Sequence, residues 1–202
     1  MLAPHQDDET FGCGGILALH QAQGDSVRVV FLTDGAAGDP AGHYPAAGYV
    51  EIRRAEARRA CAALGVSDLE FWTLPDGKLG TVPDLDERVA DAVHRFRPDV
   101  LYHPSTDEMH PDHWAVGVAV EALHRAGRLP CGAYAYEVWA AVRPTHLIDI
   151  APVLDRKQAA MAEYPSQLRY HDYRPKILGL NAYRALLLGT EPGHAEAFRR
   201  LT

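Results

Sequence analysis

Ser26-Val27-Arg28-Val29-Val30-Phe31-Leu32-Thr33 is a short apolar run rich in β-branched residues, and it stops at Asp34-Gly35. Such a run, bounded by a turn pair, reads as a buried strand meeting a loop. The residues after it fix the class. Gly35 to Gly48 is a Gly-, Ala- and Pro-rich loop, long enough to suggest a function. Val50 to Leu64 then sets Val50, Ile52, Ala55, Ala60, Cys61 and Leu64 on one helical stripe, closed by Gly65 as a C-cap. Asp84 with Glu87 spells a capping box for a second helix, whose apolar face is Leu85, Val89, Val93 and Phe96 and which Pro98 stops. Asp99 to His103 is another short strand, and His113 to Ala126 a helix closed by Gly127. Tyr134 to Trp139 and His146 to Ile150 read as strands, and Val153 to Tyr164 as a helix. Strands alternating with helices predict an α/β fold: a mostly parallel sheet with helices on both faces. Towards the N-terminus, Met1-Leu2-Ala3-Pro4 leaves little room for a first strand, which is expected to be a stub or truncated by a misassigned start.

A length of 202 residues fits a single domain spanning residues 1–202. Twenty Lys and Arg against 27 Asp and Glu give a formal charge of −7, so there is no basic footprint for nucleic acid. No apolar run approaches the roughly 20 residues of a membrane span. No charged and then apolar leader opens the chain, so a cytoplasmic location is expected. The odd number of cysteines (Cys13, Cys61, Cys131), with no C-x-x-C spacing, argues against a disulfide framework or a Cys-ligated zinc.

In parallel sheets, ligands bind beyond the carboxyl ends of the strands. After the first stub come His5-Gln6-Asp7-Asp8-Glu9, after the second strand Thr33-Asp34-Gly35, and after the Asp99–His103 strand Pro104 to His113, ending His110-Pro111-Asp112-His113. Two His- and Asp-rich segments thus converge on one sheet edge. His5 and Asp8 are three apart, as are His110 and His113, which puts each pair on one side of a turn. Pro111 suits the first helical position, with His110 near the N-cap. Three N/O ligands around an open position describe a catalytic zinc, and His5, Asp8 and His113 supply that set. Asp7 is then placed to take a proton from the attacking water, and His110 to stabilise an oxyanion or protonate a leaving amine. Asp112 is expected to hold the His110 imidazole charged and oriented.

Taken singly, either segment reads more simply as helix capping, with Asp7 or Asp8 accepting amides. Jointly, at two ends of one sheet, metal binding is favoured. Asp34 either hydrogen-bonds a substrate or caps amides. Arg53 either binds a carboxylate or is an ordinary helix-surface arginine. The remaining eight histidines show no ligand spacing, and Gly12-x-Gly14-Gly15 is not the G-x-G-x-x-G of a dinucleotide site.

Ala3-Pro4-His5-Gln6-Asp7-Asp8-Glu9-Thr10, with Gly12-Cys13-Gly14-Gly15 after it, resembles the (A/P)-H-P-D-D-E signature of the PIG-L/LmbE-like zinc deacetylases. His110-Pro111-Asp112-His113 is similar to that family's H-P-D-H signature. Leu32-Thr33-Asp34-Gly35, Arg53-x-x-Glu56, and Lys157 followed by Tyr164 and Ser166-Gln167 fit its weaker patterns, and Gln6 departs by replacing the usual proline. The resemblance implies a Rossmann-like fold and removal of the N-acetyl group from an N-acetylglucosamine-containing conjugate, a small-molecule partner, with release of acetate. It implies Zn2+, or another divalent metal such as Fe2+, on His5, Asp8 and His113, with Asp7 as general base, His110 assisting and Arg53 contacting substrate. A homo-oligomer is compatible with it. Two alternatives stand beside this: an amidase acting on a related thiol or sugar conjugate, and a non-catalytic member that binds such a conjugate.

Overall fold

Successive residues of the Ser26–Thr33 run face opposite sides of a sheet, and both sides are covered. Val30 and Leu32 join Leu2 in one apolar cluster, while Val29 and Phe31 join Ala3 in another. The computed structural model, which describes residues 1–189 and 193–202, makes this run strand β2 (Arg28–Thr33). It lies between β1 (Leu2–Ala3) and β3 (Asp68–Leu74) in a parallel sheet ordered β1-β2-β3. A second sheet is ordered β4-β5-β7-β6. There β4 (Val100–Pro104) runs parallel to β5 (Gly132–Tyr136), and β7 (Ala195–Arg200) runs antiparallel to both β5 and β6 (His146–Asp149). The β1 edge lies against β4, which brings the two sheets side by side.

Helices α1 (Asp8–Gln23), α2 (Ala46–Leu64) and α5 (Leu154–Met161) pack together over one face. Helices α3 (Leu85–Phe96) and α4 (Pro111–Arg125) pack together with the cluster of the other. The expected α/β architecture, with helices on both sides, is present. Short α6 (Pro165–Leu168) and α7 (Arg174–Ala185) complete the helical set. Among the described residues no helix is long and apolar enough to cross a membrane.

Several elements depart from the sequence reading. Asp84 makes no cap bond, and Glu87 instead pairs with both terminal nitrogens of Arg128, at 2.8 and 2.6 Å. The helix expected over Val153–Tyr164 ends at Met161, and Pro165, which has no N–H to extend it, opens α6. β1 is two residues long, yet it does not leave the following segment unsupported. The Met1 amine donates to the Arg28 carbonyl at 2.7 Å, Val30 N–H to Met1 O at 2.9 Å and Thr33 N–H to Pro4 O at 3.0 Å. A cavity of about 630 Å³, lined by Leu17, Val30, Phe96 and Leu101, lies at the amino ends of the strands, away from the two His/Asp segments.

The glycines opening α1 serve packing. A Cβ on Gly12 would meet the Tyr136 ring, and one on Gly15 the Ile150 side chain. The same helix is pinned by a buried ion pair. Lys157 Nζ lies 2.7 Å from Glu196 and donates to Phe11 O, while the Glu196 carboxylate accepts the Gly15 and Ile16 amides at 2.7 and 2.8 Å. Every charge in that pair is hydrogen-bonded, the condition under which a buried pair is tolerated.

Candidate metal centre and active site

The chain leaves β1 through Pro4 and reaches α1 at Asp8 with an abrupt turn. Asp7 takes φ 141° and ψ −26°, a conformation rare for any residue but glycine. It occupies the N-cap position, yet its carboxylate makes no capping bond. Strain of this kind costs on the order of 1–3 kcal/mol and persists only where the surroundings impose it. The start of α4 is relaxed by contrast. His110 is an extended N-cap with Pro111 behind it, and its Nδ1 accepts the Asp112 N–H at 3.2 Å. That bond fixes the neutral imidazole with its proton on Nε2.

The two segments meet at three atoms. Asp8 Oδ2 lies 3.3 Å from His5 Nδ1 and 3.1 Å from His113 Nε2, and those two nitrogens are 3.3 Å apart. Ligands about 2.0–2.1 Å from a tetrahedral ion are separated from one another by about 3.3 Å, so this donor triangle fits zinc. Its electrostatics agree. Burial opposes the charge on Asp8, but His113 and His5 hold its carboxyl far below the usual range. Burial would lower His113, yet Asp8 lifts it to about 9, and His5 is raised well above its ordinary value by Asp112, Asp76 and Asp8. The cluster therefore favours positive charge at its centre. His110 faces the same space, its ring 4.6 Å from that of His5 and 5.1 Å from that of His113.

Carboxylates behind the triangle orient it. Asp112 Oδ2 and Asp76 Oδ1 each lie 3.1 Å from His5 Nε2. Asp112 also accepts the Gly77 and Leu79 amides at 2.7 and 2.8 Å, so its side chain braces His5 and not His110, contrary to the expectation from sequence. The reason is positional: its carboxylate reaches the loop after β3, and only its backbone N–H meets His110. Glu108 accepts the Val138 and Trp139 amides at 2.8 and 3.0 Å and places Oε2 3.6 Å from His113 Nδ1. Neither Asp76 nor Glu108 stands at a ligand spacing that the sequence makes visible. Asp76-Gly77 repeats the strand-end signal of Asp34-Gly35, but β3 itself was not recognised.

Asp7 borders the triangle on the side of α2. Burial pushes its carboxyl up to about 7, with Arg53 pulling against that and Asp8 adding to it. Arg53 is only 2% exposed; its Nη2 lies 3.4 Å from Asp7 and donates to Gln6 O. It is thus a buried partner of Asp7, not a helix-surface arginine. Gln6 stays out of the triangle and donates to Thr33 O at 2.9 Å, while Asp34 caps the Ala36 amide at 3.0 Å. Trp139 packs edge-on against Tyr173, which in turn packs on Phe11, and Met109 and Trp114 are exposed beside His110 and His113.

Residues 1–124 match the family described as PIG-L: GlcNAc-PI de-N-acetylase. The chain is 31% identical to a 4-oxalmesaconate hydratase of Pseudomonas putida, covering 88% of this chain and 76% of that protein. It is 25% identical to a diacetylchitobiose deacetylase of Thermococcus kodakarensis, covering 82% and 68%. Among solved structures, a conserved protein of Thermus thermophilus superposes with a TM-score of 0.81 at 30% identity, covering 98% of this chain and 91% of that one.

Proposed function

This chain belongs to the PIG-L de-N-acetylase family, and from that premise we propose that it is a metal-dependent hydrolase removing the acetyl group from an N-acetylglucosamine-containing conjugate. The observation that carries the reading is the donor triangle of His5, Asp8 and His113 with the uncapped carboxylate of Asp7 beside it. Bound on that triangle, a divalent ion such as Zn2+ supplies Lewis acidity towards water and the acetamide carbonyl. Asp7 takes a proton from the attacking water as its oxygen bonds to the carbonyl carbon. His110 donates from Nε2 to the carbonyl oxygen as negative charge develops there, a part that suits the tautomer its cap bond imposes. Asp7 then returns the proton to the amine nitrogen as the C–N bond breaks, giving acetate and the free amino sugar. Arg53 works against the burial that raises the Asp7 carboxyl and lies 3.4 Å from it, which aims it. The unpaired thiols of Cys13, Cys61 and Cys131 support a cytoplasmic location.

The hydratase among the relatives favours a second reading, addition of water to a conjugated polycarboxylate. Both reactions bring an activated water to an sp2 carbon of a polarised substrate, so the same residues serve either. One panel separates them. The zinc-loaded protein is given N-acetylglucosamine conjugates, with acetate assayed, and 4-oxalmesaconate, with loss of its ultraviolet absorbance followed. Acetate release is expected; absorbance loss without acetate would replace the deacetylase by the hydratase, and neither would leave a binding protein.

A further inference from the structure

The strained turn at Asp7 needs something to hold it, and one side chain, Glu9, takes up its backbone N–H. Glu9 is fully buried in the first turn of α1. Its Oε2 accepts the Asp7 N–H at 3.0 Å, while its Oε1 accepts the Thr10 hydroxyl at 2.5 Å and the Tyr164 hydroxyl in a short bond. Helix starts commonly satisfy two amides reciprocally: the N-cap side chain bonds an amide of the first turn, and a first-turn Glu reaches back to the N-cap amide. Here only the second half is made. Asp7 is released from capping, and its carboxylate lies 3.4 Å from the Arg53 guanidinium instead.

We propose that Glu9, itself held by Tyr164, is a positioning residue for the general base, fixing the positive-φ Asp7 backbone that aims its carboxylate at the substrate. This rests on the reading of Asp7 as the base. Tyr164 comes from the segment between α5 and α6, so the clamp ties the catalytic turn to a part of the chain more than 150 residues away. Glu9 touches none of the three donor atoms of the triangle in the hydrogen bonds it makes. Its loss should therefore misplace the base without releasing the metal.

The test is a double-mutant cycle between Glu9→Ala and Asp7→Asn, read as kcat, KM and zinc content, with the Asp7 amide followed by NMR. Glu9→Ala is expected to lower kcat about 10²-fold, the scale of an ångström-sized misplacement. KM and bound zinc should hold, and the Asp7 amide should lose its protection from exchange. In the Asp7→Asn background the same change should cost almost nothing. Glu9→Gln, which still offers an oxygen to that amide, should recover most of the rate. Tyr164→Phe, which keeps the ring and removes only the hydroxyl, gives a milder version should Glu9→Ala fold poorly. Losses that simply add across the cycle, zinc released by Glu9→Ala, or an Asp7 amide unmoved by it would overturn the proposal. Full activity in Asp7→Asn alone would instead overturn the role of Asp7 as base.

Discussion

The two helix starts that build the site do the same job by opposite means. At α4 the chain is relaxed: an extended His110 N-cap, proline in the first turn and a satisfied first-turn amide. At α1 it is strained, with Asp7 at φ 141° and its cap bond unmade. The difference follows the chemistry each must deliver. In the proposed reaction His110 serves as a neutral donor, and capping the helix is what sets its proton on Nε2. In the same proposal Asp7 serves as the base, and capping would consume the carboxylate that has to face the water.

The contrast is sharpened first by His110→Ala. Losing one oxyanion donor should lower kcat about 10²–10³-fold with zinc retained. An unchanged rate would remove His110 from the chemistry, and lost zinc would make it a ligand. A smaller effect separates the backbones. Denaturant unfolding of Asp7→Gly and Asp7→Ala, which both lack the carboxylate, should show the glycine variant more stable by about 1–3 kcal/mol, because only glycine relieves the strain. At Asp112 in α4 the order should reverse, with Asp112→Gly less stable than Asp112→Ala by up to about 1 kcal/mol. The same order at both positions would mean that the α1 turn carries no strain.

The sequence was most informative where local and global signals coincide. The β2 run, the end of α2 at Gly65 and the α4 start at Pro111 appear as read, because burial on both faces, a left-handed cap and a first-turn proline each leave a local mark. The α2 stripe does not, since Val50, Ile52 and Ala55 are only half-buried and Tyr49, Arg53 and Glu56 face inward with Ala60, Cys61 and Leu64. β3 and β7 were not legible. β3 is a half-buried strand with Asp68 and Glu70 paired to Arg28, and β7 carries buried Glu196, so neither shows an apolar run. The six residues of the two His/Asp signatures were placed together by the strand-end rule, but their partners were not. That Asp112 braces His5 and that Arg53 lies beneath Asp7 depend on contacts between segments far apart in the chain, and Glu108, though only five residues before His113, is held there by the distant Val138 and Trp139 amides.

The most direct measurement combines zinc content and acetate release for the wild-type chain, Asp7→Asn and His113→Ala. Expected are about one zinc per wild-type chain with acetate released, zinc kept by Asp7→Asn with a rate about 10²–10⁴-fold lower, and both lost in His113→Ala. A wild-type chain that binds no zinc, or an Asp7→Asn variant as fast as wild type, would contradict a metal triangle served by a single strained base.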